Sequence, residues 1–380
     1  MKNGLKEKGN FMGNENIYAL NLFFTGKCNL SCRYCFVDKK GIENTTLNEN
    51  SLKKSIDVLF SFPGRKKTIS FNGGEPTLEW PLVKKIYTYA LKKAKEKKII
   101  LDVAVMTNGT LLNQEIMDFF IKNKTIVKIS IDGNKLTHDK NRPFKENARA
   151  SSFDKILKNI GNVKSGNLRL AASLVFTPKD LDKFLDNVKF LNSRNFYYIE
   201  FYPDLYADWQ KKDLEKFKKV FNDFFFYYTE LFKEKKKIFK ISLLDNFVNE
   251  LETEKMEKCG KIHLSAQGEF YACDKVFSLD SDARGKYAVG GVKEGVNSKK
   301  RSALLNKLRE NFLKESGFGC KKCEYYKYCF CPLGHYIYHK SAGKNFPKSF
   351  CEISKTYNEV FLKIKDKLKH NPDFVKLYKY

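Results

Sequence analysis

The stretch Cys28-Asn-Leu-Ser-Cys32-Arg-Tyr-Cys35, followed by Phe36, stands close to the start of the chain, just after an apolar segment at 18–24 that reads as a β-strand. Its three cysteines are separated by three residues and then by two. Structural zinc sites and complete iron–sulfur sites take four protein ligands. Three thiolates on one short loop therefore indicate a [4Fe–4S] cube with one open iron, with an incomplete zinc site or simple packing as the alternatives.

Length and composition predict a cytoplasmic protein of two or three domains. The chain has 380 residues, of which 42% are hydrophobic, and this is enough for a substantial core. It has no apolar run near the ~20 residues of a membrane span, and its first segment, 1–16, is too polar for a signal peptide. In a reducing cytosol, ten cysteines indicate metal or redox chemistry rather than a disulfide framework.

The formal charge of +27 raises the question of a nucleic-acid partner. The lysines are spread along predicted helices, as in the segment 84–98, and do not gather in one patch. This spread favours solvated helix faces, with at most a weak attraction of acidic partners.

Strand-like and helix-like segments alternate through the first two thirds of the chain. The predicted strands lie at 18–24, 67–71, 99–107, 126–131, 168–176 and 196–202. Six strand–helix repeats predict an α/β fold with a parallel sheet, a partial (β/α)6 barrel two units short of closure. We predict a tail at 1–17, the barrel at 18–236, a linker at 237–257, a small cysteine-rich domain at 258–355 and a C-terminal helix at 356–380.

The cysteine spacing, with Tyr34 before the third cysteine, resembles the signature of the radical S-adenosylmethionine (SAM) enzymes. In that family the amine and carboxylate of SAM chelate the open iron, so the cofactor supplies the fourth ligand. After the second predicted strand, Gly73-Gly74-Glu75 resembles the family's motif for the methionine amine. Its glycines allow a close approach of backbone to ligand.

Polar residues after the third and fourth strands extend the resemblance over residues 18–205. Asn108, Ser130, Asp132 and Arg142 resemble the family's contacts to the ribose and to the SAM carboxylate. Ordinary turn chemistry at Asn-Gly and Asp-Gly is the alternative for single residues. Four such loops in the expected order favour the family.

The seven later cysteines resemble the SPASM extension, which carries two auxiliary [4Fe–4S] clusters in radical SAM enzymes that modify peptides and proteins. Six of the seven positions match. The departure is that Cys331 follows Cys329 after one residue instead of three, and Leu333 stands where the family has cysteine. The set comprises Cys259, Cys273, Cys320, Cys323, Cys329, Cys331 and Cys351.

The resemblance implies two auxiliary ligand sets, and hence three [4Fe–4S] clusters with the one at Cys28, Cys32 and Cys35. One set has four thiolates, for which a zinc site is the alternative: Cys320, Cys323, Cys329 and Cys351. The other has three: Cys259, Cys273 and Cys331. An open iron in the second set could bind a substrate thiolate, or the altered spacing could recruit another ligand such as His335.

By resemblance, the reaction begins when a 5′-deoxyadenosyl radical from SAM abstracts hydrogen from a ribosomally made peptide. We expect a maturase that forms a thioether or other crosslink. The alternative is an anaerobic sulfatase-maturating enzyme that makes formylglycine with Asp274 as proton acceptor. A non-catalytic iron–sulfur or zinc protein that binds nucleic acid is a third class, but it has no use for Glu75 or Arg142.

The expected partners are a peptide or protein substrate and a flavodoxin- or ferredoxin-type reductant. The short segments before Cys28 and after Cys351 leave no room for an appended recognition domain of ~80 residues. A leader peptide would then be bound by a separate recognition protein or by the mouth of the barrel.

Overall fold

A computed structural model describes residues 17–37, 41–161, 169–194, 196–248, 259–326 and 328–378. The predicted tail, except residue 17, and the linker from residue 249 onward lie outside these ranges. The strands are β1 (Ala19–Phe23), β2 (Lys66–Asn72), β3 (Ile100–Thr107), β4 (Ile126–Ser130), β5 (Arg169–Phe176), β6 (Tyr198–Pro203), β7 (Lys240–Ile241), β8 (Lys261–Leu264), β9 (Glu269–Tyr271), β10 (Ala288–Gly291) and β11 (Gly295–Val296).

The helices alternate with the first six strands and then continue to the end of the described chain. They are α1 (Glu49–Ser61), α2 (Trp80–Glu96), α3 (Gln114–Lys122), α4 (Lys135–Asn141), α5 (Ser152–Gly161), α6 (Phe184–Ser193), α7 (Lys211–Lys233), α8 (Ser242–Val248), α9 (Ser281–Gly285), α10 (Ser298–Glu315), α11 (Leu333–Ser341), α12 (Lys348–Leu368) and α13 (Pro372–Tyr378). None of the helices in the described ranges is long and apolar enough to cross a membrane.

The sheet confirms the predicted α/β class and the partial barrel. Strands β1 to β6 stand in sequence order, and each neighbouring pair is parallel. The sheet does not close on itself, because β6 continues to β7 while the other side of β1 pairs with β8.

Local sequence explains why the covering helices form where they do. Helix α1 begins after Asn48, whose side chain accepts a hydrogen bond from the Ser51 amide at 2.9 Å. Its apolar residues Leu52, Ile56 and Leu59 recur at helical spacing and are buried against the sheet. The other covering helices bury apolar faces in the same way.

The cysteine-rich region continues the barrel sheet. Strand β8 pairs with β1 in parallel, and β8 to β11 then form antiparallel neighbours. A second apolar core joins Phe23 of β1 to Phe277 and Phe312 of the later region. The interval predicted as a linker contains β7 and α8 up to residue 248.

Helix α12 connects the cysteine-rich region to the outside of the barrel. It begins at Lys348, carries Cys351 in its first turn and packs along α7. The Tyr357 ring lies 4.5 Å from that of Phe221, and its hydroxyl donates to the Phe201 carbonyl at 3.0 Å. The interval predicted as a C-terminal helix, 356–380, thus contains the end of α12 and then α13.

Candidate active site

The loops that follow β1 and β2 lie against each other at one edge of the sheet, where the carboxyl ends of parallel strands meet. The Gly74 amide donates to the Thr25 carbonyl and the Glu75 amide to the Lys27 carbonyl, both at 2.7 Å. A Cβ on Gly74 would lie 1.9 Å from the Lys27 oxygen. Only glycine therefore allows this approach. The Gly-Gly-Glu segment is hydrogen-bonded to the residues that lead into the loop of Cys28, Cys32 and Cys35, which we call the cysteine loop.

The Glu75 carboxylate is buried and joins the loops after β2 and β3. Its Oε1 accepts from the Thr77 amide and hydroxyl and from the Thr107 hydroxyl, while its Oε2 accepts from the Asn108 amide at 2.6 Å. Burial raises the pKa of Glu75 although these hydrogen bonds oppose the shift. A carboxylate has about four acceptor positions, so Oε2 retains room for one further donor.

Asn108 fixes the cysteine loop from the side of β3. Its side-chain Nδ2 donates to Asn29 Oδ1 at 2.8 Å, and the side-chain Nδ2 of Asn29 donates to the Thr110 hydroxyl at 2.8 Å. Both Asn108 and Asn29 therefore serve loop structure in this arrangement. Ser130, by contrast, is the half-buried last residue of β4.

Asp132 and Arg142 form a buried ion pair behind the cysteine loop. Arg142 Nε and Nη2 each donate to one oxygen of Asp132 at 3.0 Å, and the Val175 amide donates to Asp132 Oδ1 at 3.1 Å. The Tyr34 hydroxyl donates to Asp132 Oδ2. The three residues predicted to touch SAM from this side are thus brought together, and they contact one another.

The three thiols of the cysteine loop lie close enough to influence each other. Burial raises the pKa of Cys32 to about 11; Arg142 opposes this shift, and the neighbouring thiols of Cys35 and Cys28 add to it. Three thiols on one loop, with a guanidinium beside them, fit a cube whose fourth iron takes a non-protein ligand.

The four cysteines of the first auxiliary set surround one cavity, which is also lined by aromatic rings such as those of Phe312 and Phe350. Burial raises the pKa of Cys320, with Cys351 and Cys323 adding to the shift. The Ser354 hydroxyl donates to Cys329 Sγ at 3.2 Å. The donor set fits an iron–sulfur cluster, and a zinc site remains compatible with it. The cysteines are Cys320, Cys323, Cys329 and Cys351.

The second auxiliary set is less complete. Burial raises the pKa of Cys273, and the nearby Asp274 and Cys331 add to the shift. Cys259 stands two residues before β8 and Cys273 two residues after β9; since His263 pairs with Tyr271 in this antiparallel hairpin, both cysteines lie at the same end of it.

His335 adjoins the second auxiliary set. A Cβ on Gly334 would lie 2.8 Å from Cys273 Sγ, so the first turn of α11 packs directly on this thiol. His335 follows in that turn, is 6% exposed, and its Nδ1 has no hydrogen-bond partner within the described chain. The turn that packs on Cys273 thus contains a buried imidazole nitrogen without a hydrogen-bond partner among the described residues.

Asp274 directly follows Cys273, and its neighbour Lys275 contacts the residue after the cysteine loop. Its carboxylate is 3.8 Å from Lys275 Nζ, which in turn stands 4.3 Å from the centroid of the Phe36 ring, one residue after Cys35. Burial by itself would raise the pKa of Asp274, but Lys275 together with His263 and Lys261 outweighs it and lowers this pKa.

The histidines near Asp274 are uncharged at neutral pH. Burial lowers the pKa of His263 to about 4 and that of His335 to about 3. The positive charges near Asp274 at neutral pH are therefore those of Lys275 and Lys261. An ionised, half-buried carboxylate of this kind can accept a proton from a bound group.

No three His, Cys, Asp or Glu side chains in the described ranges are already arranged around a single metal ion. An iron–sulfur cube binds each thiolate at a separate iron, so its ligands need not meet at one point.

Similar proteins show the family to which the chain belongs. Residues 22–191 match the family model of the Radical SAM superfamily. An uncharacterized protein of Methanocaldococcus jannaschii, MJ0907, is 34% identical over 209 residues, which are 53% of this chain and 70% of that protein. The chain belongs to the radical SAM superfamily.

Two further proteins resemble the chain over nearly its whole length. The cysteine-type anaerobic sulfatase-maturating enzyme of Clostridium novyi is 26% identical over 363 residues, 88% of this chain and 92% of that enzyme. The solved structure of anSMEcpe with bound AdoMet has the same fold, with a TM-score of 0.75, 20% identity and coverage of 95% of this chain and 98% of the other. Another anSMEcpe structure, of TM-score 0.73 and 20% identity, holds AdoMet and the Cp18Cys peptide and covers 94% of this chain and 99% of the other.

Family membership confirms the prediction that the chain is a radical SAM protein. The superfamily binds SAM at a [4Fe–4S] cluster, so this cofactor pair is assigned to the protein. The roles of the individual site residues stay predictions.

Three features of this radical SAM site were not anticipated from the sequence. The first is the Asp132–Arg142 ion pair. The second is the ion pair of Lys128 and Glu200, 2.6 Å apart, on the face of the sheet opposite the buried side chains of Val127 and Ile129. The third is the contact of Lys275 with Phe36. A charged residue alternating with buried ones in β4 was the available signal for Lys128.

Proposed function

We propose that this radical SAM enzyme oxidises a cysteine or serine side chain of a peptide or protein to formylglycine. The observation that carries the proposal is the ionised Asp274, set directly after Cys273 and linked through Lys275 to the ring of Phe36 beside the cysteine loop. Modification of a peptide or protein is the coarser conclusion, and the likeness to a sulfatase-maturating enzyme over 92% of its length supports the finer one.

The proposed reaction is a two-electron oxidation of the substrate side chain. When bound, SAM and its cluster supply the radical that takes a hydrogen atom from the substrate Cβ, and the auxiliary clusters supply an acceptor for the electron that leaves next. Asp274 accepts the proton of the thiol or hydroxyl as the carbon–sulfur or carbon–oxygen double bond forms. A thioaldehyde then takes up water and releases hydrogen sulfide, whereas a serine substrate gives the aldehyde directly.

The proposed reaction requires SAM and iron–sulfur clusters, for which the grouped cysteines are the proposed ligands. Cys28, Cys32 and Cys35 would hold the SAM cluster, and the Glu75 carboxylate would receive the SAM ammonium. Two auxiliary clusters use the remaining cysteines, with His335 as the fourth ligand of the second. A flavodoxin- or ferredoxin-type protein supplies electrons in the cytoplasm, and a separate protein presents the substrate if a leader is needed.

The replacement Asp274→Asn tests the proposal, because it keeps the shape of the side chain but removes the proton acceptor. With a sulfatase-derived peptide that carries cysteine at the modified position, formylglycine formation should fall by about 10²–10⁴-fold, while deoxyadenosine formation continues. Mass spectrometry of the peptide and chromatography of deoxyadenosine give the two rates. The matched control is Asp282→Asn at an exposed position of α9, which should leave both rates unchanged.

A parent enzyme that cleaves SAM but leaves this peptide unmodified would refute the proposal, as would an Asp274→Asn variant of parental turnover.

A peptide-crosslinking maturase is the second candidate, favoured by the three cysteines of the second auxiliary set. An open iron there would bind a substrate thiolate. In that case a cysteine-containing peptide should perturb the EPR signal of an auxiliary cluster, and Asp274→Asn should have little effect. The two functions therefore give opposite results in the same pair of measurements.

A further inference from the structure

The buried side chains of Asp132 and Arg142 and the half-buried side chain of Tyr34 form one cluster against Cys32. We propose that Asp132 is a positioning residue that fixes the Arg142 guanidinium beside the Cys32 thiolate, and that this fixed positive charge makes the SAM-binding cluster easier to reduce. The proposal rests on membership of the radical SAM superfamily and is independent of formylglycine formation.

The geometry of the ion pair leaves one edge of the guanidinium for the thiol. Nε and Nη2 of Arg142 both donate to Asp132, at 3.0 Å each. Nη1 is the remaining nitrogen, and it lies 4.0 Å from Cys32 Sγ. Two parallel hydrogen bonds define the plane and direction of a guanidinium, so the position of Nη1 follows from that of Asp132.

The carboxylate is itself held from two other directions. The Val175 amide at the end of β5 donates to its Oδ1 at 3.1 Å, and the Tyr34 hydroxyl of the cysteine loop donates to its Oδ2. The Tyr34 ring also lies 5.1 Å from the guanidinium carbon. The charge is therefore attached to both the sheet and the loop that carries the thiols.

Backbone contacts hold the loop in register with the arginine. The Arg33 amide donates to the Asn141 carbonyl at 3.0 Å, and the Ser31 amide donates to the Pro143 carbonyl at 2.9 Å. Cys32 lies between these two bonds, and Arg142 lies between the two carbonyls. The thiol and the guanidinium thus face each other from two docked segments.

Burial makes the arrangement electrostatically effective. Asp132 is 0% and Arg142 7% exposed, and charges interact more strongly away from water. The carboxylate lies on the opposite side of the guanidinium from Nη1, so the positive end of the pair faces Cys32. Reduction adds negative charge to a cluster, and hydrogen bonds to its sulfurs favour the reduced state.

Arg142→Gln and Arg33→Gln form a matched pair, because each removes one positive charge. Arg142 contacts the Cys32 thiol in the fold, whereas Arg33 is only its neighbour in sequence. Arg33 is exposed, and its side chain is not part of the buried cluster. The reconstituted full-length protein is titrated by EPR without SAM, and the relevant cluster is recognised as the one whose signal changes when SAM is added to a parallel sample.

At a fixed potential near the parental midpoint, Arg142→Gln should lower the ratio of reduced to oxidised cluster by about tenfold, a shift of 59 mV for one electron. Asp132→Asn should also lower the midpoint, because the released guanidinium no longer faces Cys32, although the loss of a negative charge by itself would raise it. A midpoint at or above the parental one would refute the positioning role of Asp132. Arg33→Gln should match the parent. These shifts are measured whether or not the substrate peptide is modified, so they are separate from the test of the proposed function.

The proposal is overturned if Arg142→Gln and Arg33→Gln have the same midpoint. It is also overturned if Arg142→Gln weakens SAM binding in calorimetry with no change in the SAM-free midpoint, because Arg142 would then act only on the bound cofactor. If Arg142→Gln fails to take up iron, Arg142→Lys replaces it. A lysine keeps the positive charge but cannot form the two parallel hydrogen bonds to Asp132. A parental midpoint in this variant would again overturn the proposal.

Discussion

Replacing Gly74 by alanine should separate the loops that follow β1 and β2. The added Cβ would stand 1.9 Å from the Lys27 carbonyl oxygen, whereas real Cβ atoms stay beyond 3.0 Å, so one loop must move by 3.0 minus 1.9, or about 1.1 Å. The obstacle is backbone, and no side-chain rotation relieves it. The same movement takes the two hydrogen bonds of 2.7 Å that join the loops to about 3.8 Å, beyond hydrogen-bond length.

The expected cost follows from these two bonds. A buried polar group that loses its partner costs about 1–3 kcal/mol, so Gly74→Ala should reduce the free energy of unfolding by about 2–6 kcal/mol. Urea unfolding followed by circular dichroism measures the change as a shift of the midpoint. SAM affinity, measured by calorimetry on the reconstituted protein, should fall as well, because the same loops carry the cysteines and Glu75.

Gly285→Ala is the matched control. Gly285 ends helix α9, and a Cβ there would meet nothing within 4 Å, so this change should be neutral or stabilise by up to ~1 kcal/mol. Equal midpoints for Gly74→Ala and Gly285→Ala, with parental SAM binding in both, would show that the close approach of the loops has no role.

The remaining predictions concern ligand contacts. Glu75→Gln should weaken SAM binding by about 1–3 kcal/mol, because it removes the charge and one acceptor. Calorimetry should show no change for the control Glu79→Gln, which removes the charge that pairs with Lys27 and accepts from the Thr46 hydroxyl. An unchanged Glu75→Gln affinity would contradict the ammonium assignment. His335→Ala should reduce the iron content from about twelve to about eight per chain if His335 completes the third cluster. The control His339→Ala, one turn further along α11, should keep about twelve. Equal iron contents and EPR spectra in the two variants would remove His335 from the ligand set.

The fold and the loop motifs could be predicted because their signals are local. Each strand–helix unit shows its own periodicity, and the segment from Cys28 to Cys35 places three thiols on one loop by spacing alone. The grouping of Cys320, Cys323, Cys329 and Cys351 follows from the resemblance to the SPASM extension, and the four cysteines line one cavity. Such features depend little on distant parts of the chain.

Other features depend on tertiary placement and could not be predicted. Asp132 and Arg142 were each assigned to SAM, yet their burial leads them to pair with each other, and nothing in the sequence gives the direction of a side chain. Lys128 and Glu200 come from β4 and β6, which are separated by β5 in the sheet, so their pairing depends on the order of the strands. Strand β8 has only four residues and pairs with β1, which lies far earlier in the chain. So short a segment shows no clear hydrophobic periodicity, so the sequence does not predict this pairing.

The pairing of β1 with β8 has a consequence for synthesis of the protein. β1 ends at residue 23 and β8 begins at residue 261, so a ribosome working at about 5–20 residues per second leaves one edge of β1 without its partner for roughly 12–50 s. An uncovered strand edge is a template for pairing with other chains. Nascent chains on one messenger should therefore be most prone to associate in this interval, and slow translation or a truncated message should favour insoluble product even though every barrel strand is present.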